Sequence, residues 1–244
     1  MQDKARQKML DVQGIIRGPV GVVRLNREHR HNMLTPNFIK QIKRGVESFN
    51  LDHSIKLIYL TATQGQNFSN GTDFRTLMHY RAENEHEKLV QYLTDIFDLQ
   101  ATVAKINKPI MTVAPGQSFN SGASLLNAAG LPAVCHNSRI AFNECQFGFV
   151  PHAGSTYFAS RLPGDLGTFL VLTGYPLSGK DAISLKMADT MIKVPQNNES
   201  EVEDIVLAMD PSSMLDAYQK RQAEDMYRLH EHNQVLDQAT YQEN

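Results

Sequence analysis

Three short stretches of this 244-residue chain hold residue types that do chemistry, at a spacing that suits it. The first is 115–129. Ser121, Gly122, Ala123 and Ser124 open a helix directly after an apolar run. Backbone N–H groups at a helix N-terminus point outward, and the helix dipole favours negative charge there. Side chains this small let a carbonyl oxygen approach the backbone, which is how an oxyanion hole is built. Close helix packing uses the same small residues, and the sequence weighs the two readings evenly. The second stretch holds Glu144 between the apolar residues of RIAFNECQFGFV. A carboxylate in that setting is partly desolvated, which suits acid/base work. A surface Glu at a strand end is the plainer alternative.

The third stretch, Gly174-x-x-x-x-Gly179-Lys180-Asp181, is one residue short of a phosphate-binding P-loop. Asp181 replaces the hydroxyl that would hold Mg²⁺, and its carboxylate would face phosphate, so the stretch reads as a turn into a helix. Gly116-Gln117-Ser118-Phe119-Asn120 has the outline of a nucleophile elbow but ends in Asn. A Ser-His-Asp triad is not supported there. The pairs His29/His31 and His230/His232 lack Cys or carboxylate partners at ligand spacing, so they read as solvated histidines and no metal site is expected.

The elements that must position these residues alternate. Strands are expected at 12–16 and 20–25 around the turn signal Gly18-Pro19, at 56–62, at 110–114, and at 131–135 and 139–142. Helical spacing of Phe38, Ile39, Ile42, Val46 and Phe49 predicts a helix over 36–50. A short helix should start near Asp73. A longer one should run from Asn84, as cap with Glu87, to Ile106, with Leu89, Leu93, Ile96, Phe97 and Val103 facing the core. Helices are also expected over 121–129, over 153–173 with a break at Pro163-Gly164, and after Ser178. Alternation of this kind defines an α/β class. After Pro195 the composition shifts. A linker with one weak helix fits 196–213, and a polar helix fits 213–238, whose narrow stripe of Leu215, Tyr218, Met226, Leu229 and Leu236 calls for a partner surface.

Composition excludes several classes. With 41% hydrophobic and 20% charged residues, the chain is neither disordered nor collagen-like. Its apolar runs are too short to span a bilayer. A net charge of −2 gives no support for direct nucleic-acid contact. The charge is uneven: residues 1–31 carry net +4 and residues 196–244 net −8, an acidic C-terminal tail. Two cysteines, Cys135 and Cys145, make no disulfide framework, and the first residues lack a secretory h-region. A reducing compartment is therefore expected, cytosol or mitochondrial matrix.

Four segments together resemble a known family: VGVVRLNREHRHNMLTPNFI (20–39), QNFSNGTDFRTL (66–77), KPIMTVAPGQSFNSGASLL (108–126) and RIAFNECQFGFVPHAGSTYFASRLPGDLGTFLVLTGYPLSGKDAISLKMAD (139–189). They are similar to the enoyl-CoA hydratase/isomerase (crotonase) superfamily, most of all its 3-hydroxyisobutyryl-CoA hydrolase branch. The resemblance implies a crotonase-like ββα spiral over residues 1–192, followed by a helical acidic tail over 193–244. It places the backbone amides of Thr72 and Ser121 in the oxyanion hole, Glu144 as the acid/base carboxylate and Arg30 near the phosphates and adenine of CoA. No cofactor is implied beyond the CoA that is part of the substrate.

The departures from the pattern are as informative. The family's Gly-Gly-Gly run is Asn120-Ser121-Gly122 here, which adds side chains where a thioester oxygen must sit. Ser124 replaces the hydratase glutamate, which the hydrolase branch also lacks. His152 replaces the hydrolase aspartate, and Asn143 the proline before the glutamate. His152 retains the capacity to act as a base and is kept as a second catalytic candidate. The long C-terminal helical region of the hydrolases is cut to about fifty residues. Two functions follow as expectations from the resemblance. One is a degenerate crotonase-fold protein of the mitochondrial matrix, held by protein partners as a structural subunit of an assembly such as the mitochondrial ribosome. The other is an active acyl-CoA thioester hydrolase.

Overall fold

The computed structural model describes residues 10–63, 67–192 and 213–221. Strands β1 (Val12–Arg17) and β2 (Val20–Leu25) form an antiparallel hairpin across Gly18-Pro19, whose glycine takes a positive φ. Helix α1 (Pro36–Leu51) follows and buries Phe38, Ile39, Ile42, Val46 and Phe49, the face its spacing predicts. Strand β3 (Leu57–Ala62) runs parallel to β2 and is buried on both faces, as continuous apolar strands of parallel sheets are. Helices α2 (Phe74–Ala82) and α3 (His86–Lys105) lead to β4 (Ile110–Ala114), parallel to β3.

From β4 the chain winds between two sheets. A short strand, β5 (Gln117–Phe119), opens a second sheet before helix α4 (Ser121–Ala128). Strand β6 (Leu131–Cys135) returns to the first sheet beside β4, and β7 (Arg139–Ala141) goes back to pair with β5. Helices α5 (Ser155–Ala159) and α6 (Leu166–Thr173) flank Pro163-Gly164. Strand β8 (Leu177–Ser178) joins the second sheet, α7 (Gly179–Ser184) follows, and β9 (Thr190–Ile192) closes the first. The sheet orders are β1-β2-β3-β4-β6-β9 and β5-β7-β8. Strand, strand, helix repeats as the chain advances, which is the expected ββα spiral.

One core lies between the first sheet and the helices, with α1 on α3 and α3 on α4. The opposite face of that sheet is also apolar: Val20, Val22, Leu57, Tyr59, Met111, Val113, Leu131 and Ala133 are buried. Residues 213–221 are helical and join this outer cluster through Met214 and Tyr218. A Cβ on Gly130 would meet the Tyr218 ring at 1.9 Å, so that glycine is the ring's seat. Met214 and Tyr218 of residues 213–221 thus pack on the outer face of the first sheet. Leu215, expected on that stripe, is 40% exposed. The remaining residues of the stripe, and the linker over 196–212, lie outside the described residues.

Several local expectations shift. Asn84 does not cap α3. It takes a positive φ of 56°, and Glu85 is the N-cap residue, without a side-chain bond. The core face of α3 is Tyr92, Ile96, Leu99, Gln100 and Val103, with Leu89 and Leu93 partly buried against the same core as expected, while Phe97 is half exposed. Asp181 and Ser178 form a reciprocal capping box at α7, so the P-loop outline is the turn into a helix that its composition suggests.

Candidate active site

Thr72 and Ser121, 49 positions apart, are brought together by a loop pressed against the first turn of α4. That loop, 67–73, is tied from several sides. Ser69 accepts from Phe119 N through its backbone carbonyl at 2.9 Å, and its Oγ donates to Asn32 O at 2.7 Å. Gly71 and Gly122 make the approach possible. A Cβ on Gly71 would lie 2.4 Å from Phe119 O, and one on Gly122 would lie 2.4 Å from Ser69 O. Tyr92 fixes the far side of the loop: its Oη donates to Leu34 O at 2.5 Å and accepts from Asp73 N at 2.9 Å. Burial pushes the Tyr92 phenol well above its ordinary pKa, so it stays a neutral bridge. Gln100 Nε2 donates to Ser121 O at 2.9 Å and holds the start of α4 from α3.

The two backbone N–H groups converge on one point, and a side chain of this chain already sits there. Thr72 N donates to Asn120 Oδ1 at 2.6 Å, and Ser121 N donates to the same oxygen at 2.7 Å. The Asn120 Nδ2 donates to Asn70 O at 2.7 Å, which locks the carboxamide. A carbonyl oxygen held by two backbone amides at 2.6–2.7 Å has the arrangement of a thioester or ester oxygen in an oxyanion hole. Asn120 thereby caps the first turn of α4 and ties it to the 67–73 loop. It does so from a backbone at φ 41°, ψ −124°, a region that glycine enters freely and other residues occupy at a cost of roughly 1–3 kcal/mol. Its side-chain hydrogen bonds offset that strain.

Beside the filled hole runs a second line of contacts. Ser121 Oγ and Thr72 Oγ1 are 2.8 Å apart, and Thr72 Oγ1 is 2.8 Å from His152 Nε2. His152 Nδ1 faces Glu144 Oε1 at 3.5 Å. All four residues are buried, Glu144 completely. Neither Glu144 oxygen, nor the His152 Nδ1 that faces it, has a hydrogen-bond partner among the described residues. Glu144 sits in the 3-10 turn Glu144–Phe147. His152 lies just before α5, with Phe149 and Phe97 against its ring at 5.1 and 6.4 Å between centroids.

Of the residues singled out in the sequence, Thr72, Ser121, Glu144 and His152 form one buried cluster. Arg30 stays outside it, exposed on the 3-10 turn Glu28–Arg30. That turn adjoins the site, since Asn70 N donates to His31 O at 3.0 Å. Ser118 takes no part in the cluster. Two things were not read from the sequence: the Thr72 hydroxyl, considered only for its amide, and Asn120 as occupant of the hole rather than as added bulk. A short carboxamide one position before an oxyanion residue, where the pattern has glycine, was the available signal. No group of three or more metal-ligating side chains exists among the described residues, and none of their helices is long and apolar enough to cross a membrane.

The ββα spiral is the fold that the resemblance to the crotonase superfamily implies. Comparison with known proteins agrees: the enoyl-CoA hydratase/isomerase family model matches residues 20–244, and the chain belongs to that family. It is 30% identical over 207 residues to the mitochondrial 3-hydroxyisobutyryl-CoA hydrolase of Rattus norvegicus, covering 83% of this chain and 53% of the relative. It is 29% identical over 194 residues to 3-hydroxyisobutyryl-CoA hydrolase-like protein 5 of Arabidopsis thaliana, covering 80% of this chain and 49% of the relative. The chain thus spans about half the length of these relatives. An enoyl-CoA hydratase from Rhodobacter sphaeroides superposes with a TM-score of 0.75 at 26% identity, over 82% of this chain and 58% of that one.

Proposed function

We propose that this chain is a crotonase-fold protein of the 3-hydroxyisobutyryl-CoA hydrolase type whose thioester hydrolysis is silenced at the oxyanion hole. The observation that carries the reading is the Asn120 Oδ1 accepting from both Thr72 N and Ser121 N. A thioester oxygen cannot be polarised by donors already committed to another carbonyl. Loss of one such donor costs about 3–4 kcal/mol in the transition state, a hundred- to a thousand-fold in rate, and here both are engaged. On this reading the protein serves as a structural subunit held by protein partners in a mitochondrial assembly, such as the mitochondrial ribosome. The mitochondrial location is argued from relatives whose names carry that word, and the matrix is our own extension of it. No cofactor is part of the reading, because CoA would arrive with the acyl group.

One observation favours a second reading, an active acyl-CoA thioester hydrolase of the kind used on 3-hydroxyisobutyryl-CoA in valine catabolism. The carboxylate of Glu144 is retained, buried, and paired with an imidazole where the hydrolases have aspartate. In this reading Asn120 swings aside and Arg30 meets the CoA phosphates. The assay that separates the two gives the purified wild-type protein 3-hydroxyisobutyryl-CoA and, in parallel, measures native mass in a lysate of its source. Silence together with co-migration in a large particle is expected. Turnover in the ordinary enzyme range of roughly 1–1000 per second would defeat the first reading and establish the second.

A further inference from the structure

The cluster beside the filled hole contains more than the family's acid/base carboxylate. Thr72 Oγ1, His152 Nε2 and Glu144 Oε1 stand in the order hydroxyl, imidazole, carboxylate, at 2.8 Å and then 3.5 Å across the ring. With its proton on Nδ1, facing the Glu144 carboxylate, the imidazole leaves Nε2 to accept from the Thr72 hydroxyl. The first contact is the relation a nucleophilic hydroxyl needs to its base; in the second, the carboxylate faces the imidazole Nδ1 at 3.5 Å without a hydrogen bond, a gap that must tighten before Glu144 can orient the ring. A second coincidence tightens it. The backbone N–H of Thr72 is itself one of the two oxyanion donors. Serine hydrolases show the same economy, with the amide of the nucleophilic residue forming half of the oxyanion hole. Ser121 supplies the other donor and a hydroxyl that hydrogen-bonds Thr72 Oγ1 from the side.

We propose that Thr72, His152 and Glu144 form a nucleophilic acyl-transfer triad, masked by the Asn120 carboxamide, that takes small acyl esters and thioesters once the mask is removed. The proposal rests on the reading that Asn120 fills the hole, and it assigns the chemistry underneath. In the step, Thr72 Oγ1 forms a bond to the acyl carbonyl carbon while its proton passes to His152 Nε2. The carbonyl oxygen takes the charge between Thr72 N and Ser121 N. The bond from carbon to the leaving oxygen or sulfur breaks, and the leaving group takes the proton from His152. Water, deprotonated by His152, then attacks the acyl carbon, the bond to Thr72 Oγ1 breaks, and His152 returns the proton to that oxygen as the acid leaves. Glu144 acts through His152 and is a positioning residue. This differs from a mechanism in which a carboxylate itself activates water, because here the acyl group is carried on Thr72.

The test uses p-nitrophenyl acetate with the full chain. Asn120→Gly is the unmasking variant, since glycine accepts the backbone at φ 41° without strain. It should acetylate on Thr72, seen by intact mass and peptide mapping, on the order of 100-fold faster than wild type. Adding Thr72→Val or His152→Ala should abolish the adduct, and Thr72→Ser should restore it. Adding Glu144→Gln should slow acetylation and shift its pH profile. If the glycine variant does not fold, prolonged incubation of the wild type with the ester gives the second readout: a slow adduct on Thr72 that is lost in His152→Ala supports the triad, and no adduct on that residue overturns it. A folded unmasked variant with no adduct on residue 72, or one whose adduct survives His152→Ala, overturns the triad. Turnover of 3-hydroxyisobutyryl-CoA by the wild type overturns the masking instead, so the two failures are told apart.

Discussion

The two ends of helix α4 are built in opposite ways. At its first turn, polar groups crowd into a buried knot, and the space for a carbonyl oxygen is taken by Asn120. At its last turn, Asn127, Ala128, Ala129 and Gly130 line a cavity of about 630 Å³, walled also by Phe97, Ala101, Ala104, Tyr157, Phe158 and Tyr218. The first end is held by hydrogen bonds and close backbone approaches that tolerate no added atom. The second is held by ring faces on small residues, which can shift. The difference teaches that the start of α4 is fixed by a few strained polar positions, while its other end rests on apolar packing with more slack.

The sharpest way to break that contrast is to change one side chain at each end. Gly71→Ala places a Cβ 2.4 Å from Phe119 O at a residue with φ +74°. Steric overlap and backbone strain together should cost roughly 3–5 kcal/mol, read as a shift in the urea midpoint with unchanged slope. A loss under about 1 kcal/mol would mean that the loop does not press on α4 as described. At the other end, Tyr218→Ala removes the ring seated on Gly130 and should cost about 1–3 kcal/mol. Its main readout is limited proteolysis: cleavage near 213–221 should accelerate while residues 12–192 stay resistant. Equal resistance before and after would show that the ring does not anchor the helix.

Smaller effects sharpen the comparison. Ala101→Leu projects into the cavity and should change stability by less than about 1.5 kcal/mol, leaving acetylation of the Asn120→Gly variant untouched. A large loss would show that the cavity is as tightly built as the hole. The cysteines give the mildest test. Burial pushes the Cys135 thiol up to about 12, so its neutral form dominates far above neutral pH. Cys145 is only partly buried. At pH 8 a thiol reagent should label Cys145 alone in the native protein and both cysteines in urea. Prompt native labelling of Cys135 would contradict the packing of the sheet's outer face.

How much of this was legible in the sequence follows from the range of the forces involved. The face of α1 was fully readable, because Phe38, Ile39, Ile42, Val46 and Phe49 repeat with the helix itself. The hairpin around Gly18-Pro19 was readable for the same local reason. The three-residue and two-residue strands β5, β8 and β9 were not, since so few residues carry no period and their pairing comes from distant partners. In α3 the exposure of Phe97 and the burial of Gln100 reflect a cavity on one side and a bond to Ser121 O on the other, neither of which is local. Ser121 and Glu144 stood out from their local sequence, while Thr72 and His152 came from a resemblance spread over separate segments. The carboxamide in the hole could not be read, because Asn120 reaches Thr72 N only once two loops far apart in sequence have met.

The measurement that reaches the central claim most directly is amide hydrogen exchange at Thr72 and Ser121, compared between wild type and Asn120→Gly. If Asn120 Oδ1 accepts from both N–H groups, both exchange slowly in the wild type. In the variant both should lose protection, while β3 and β4 amides exchange as before. Rapid exchange of both amides in the wild type, or protection that survives removal of the Asn120 side chain, would contradict the account.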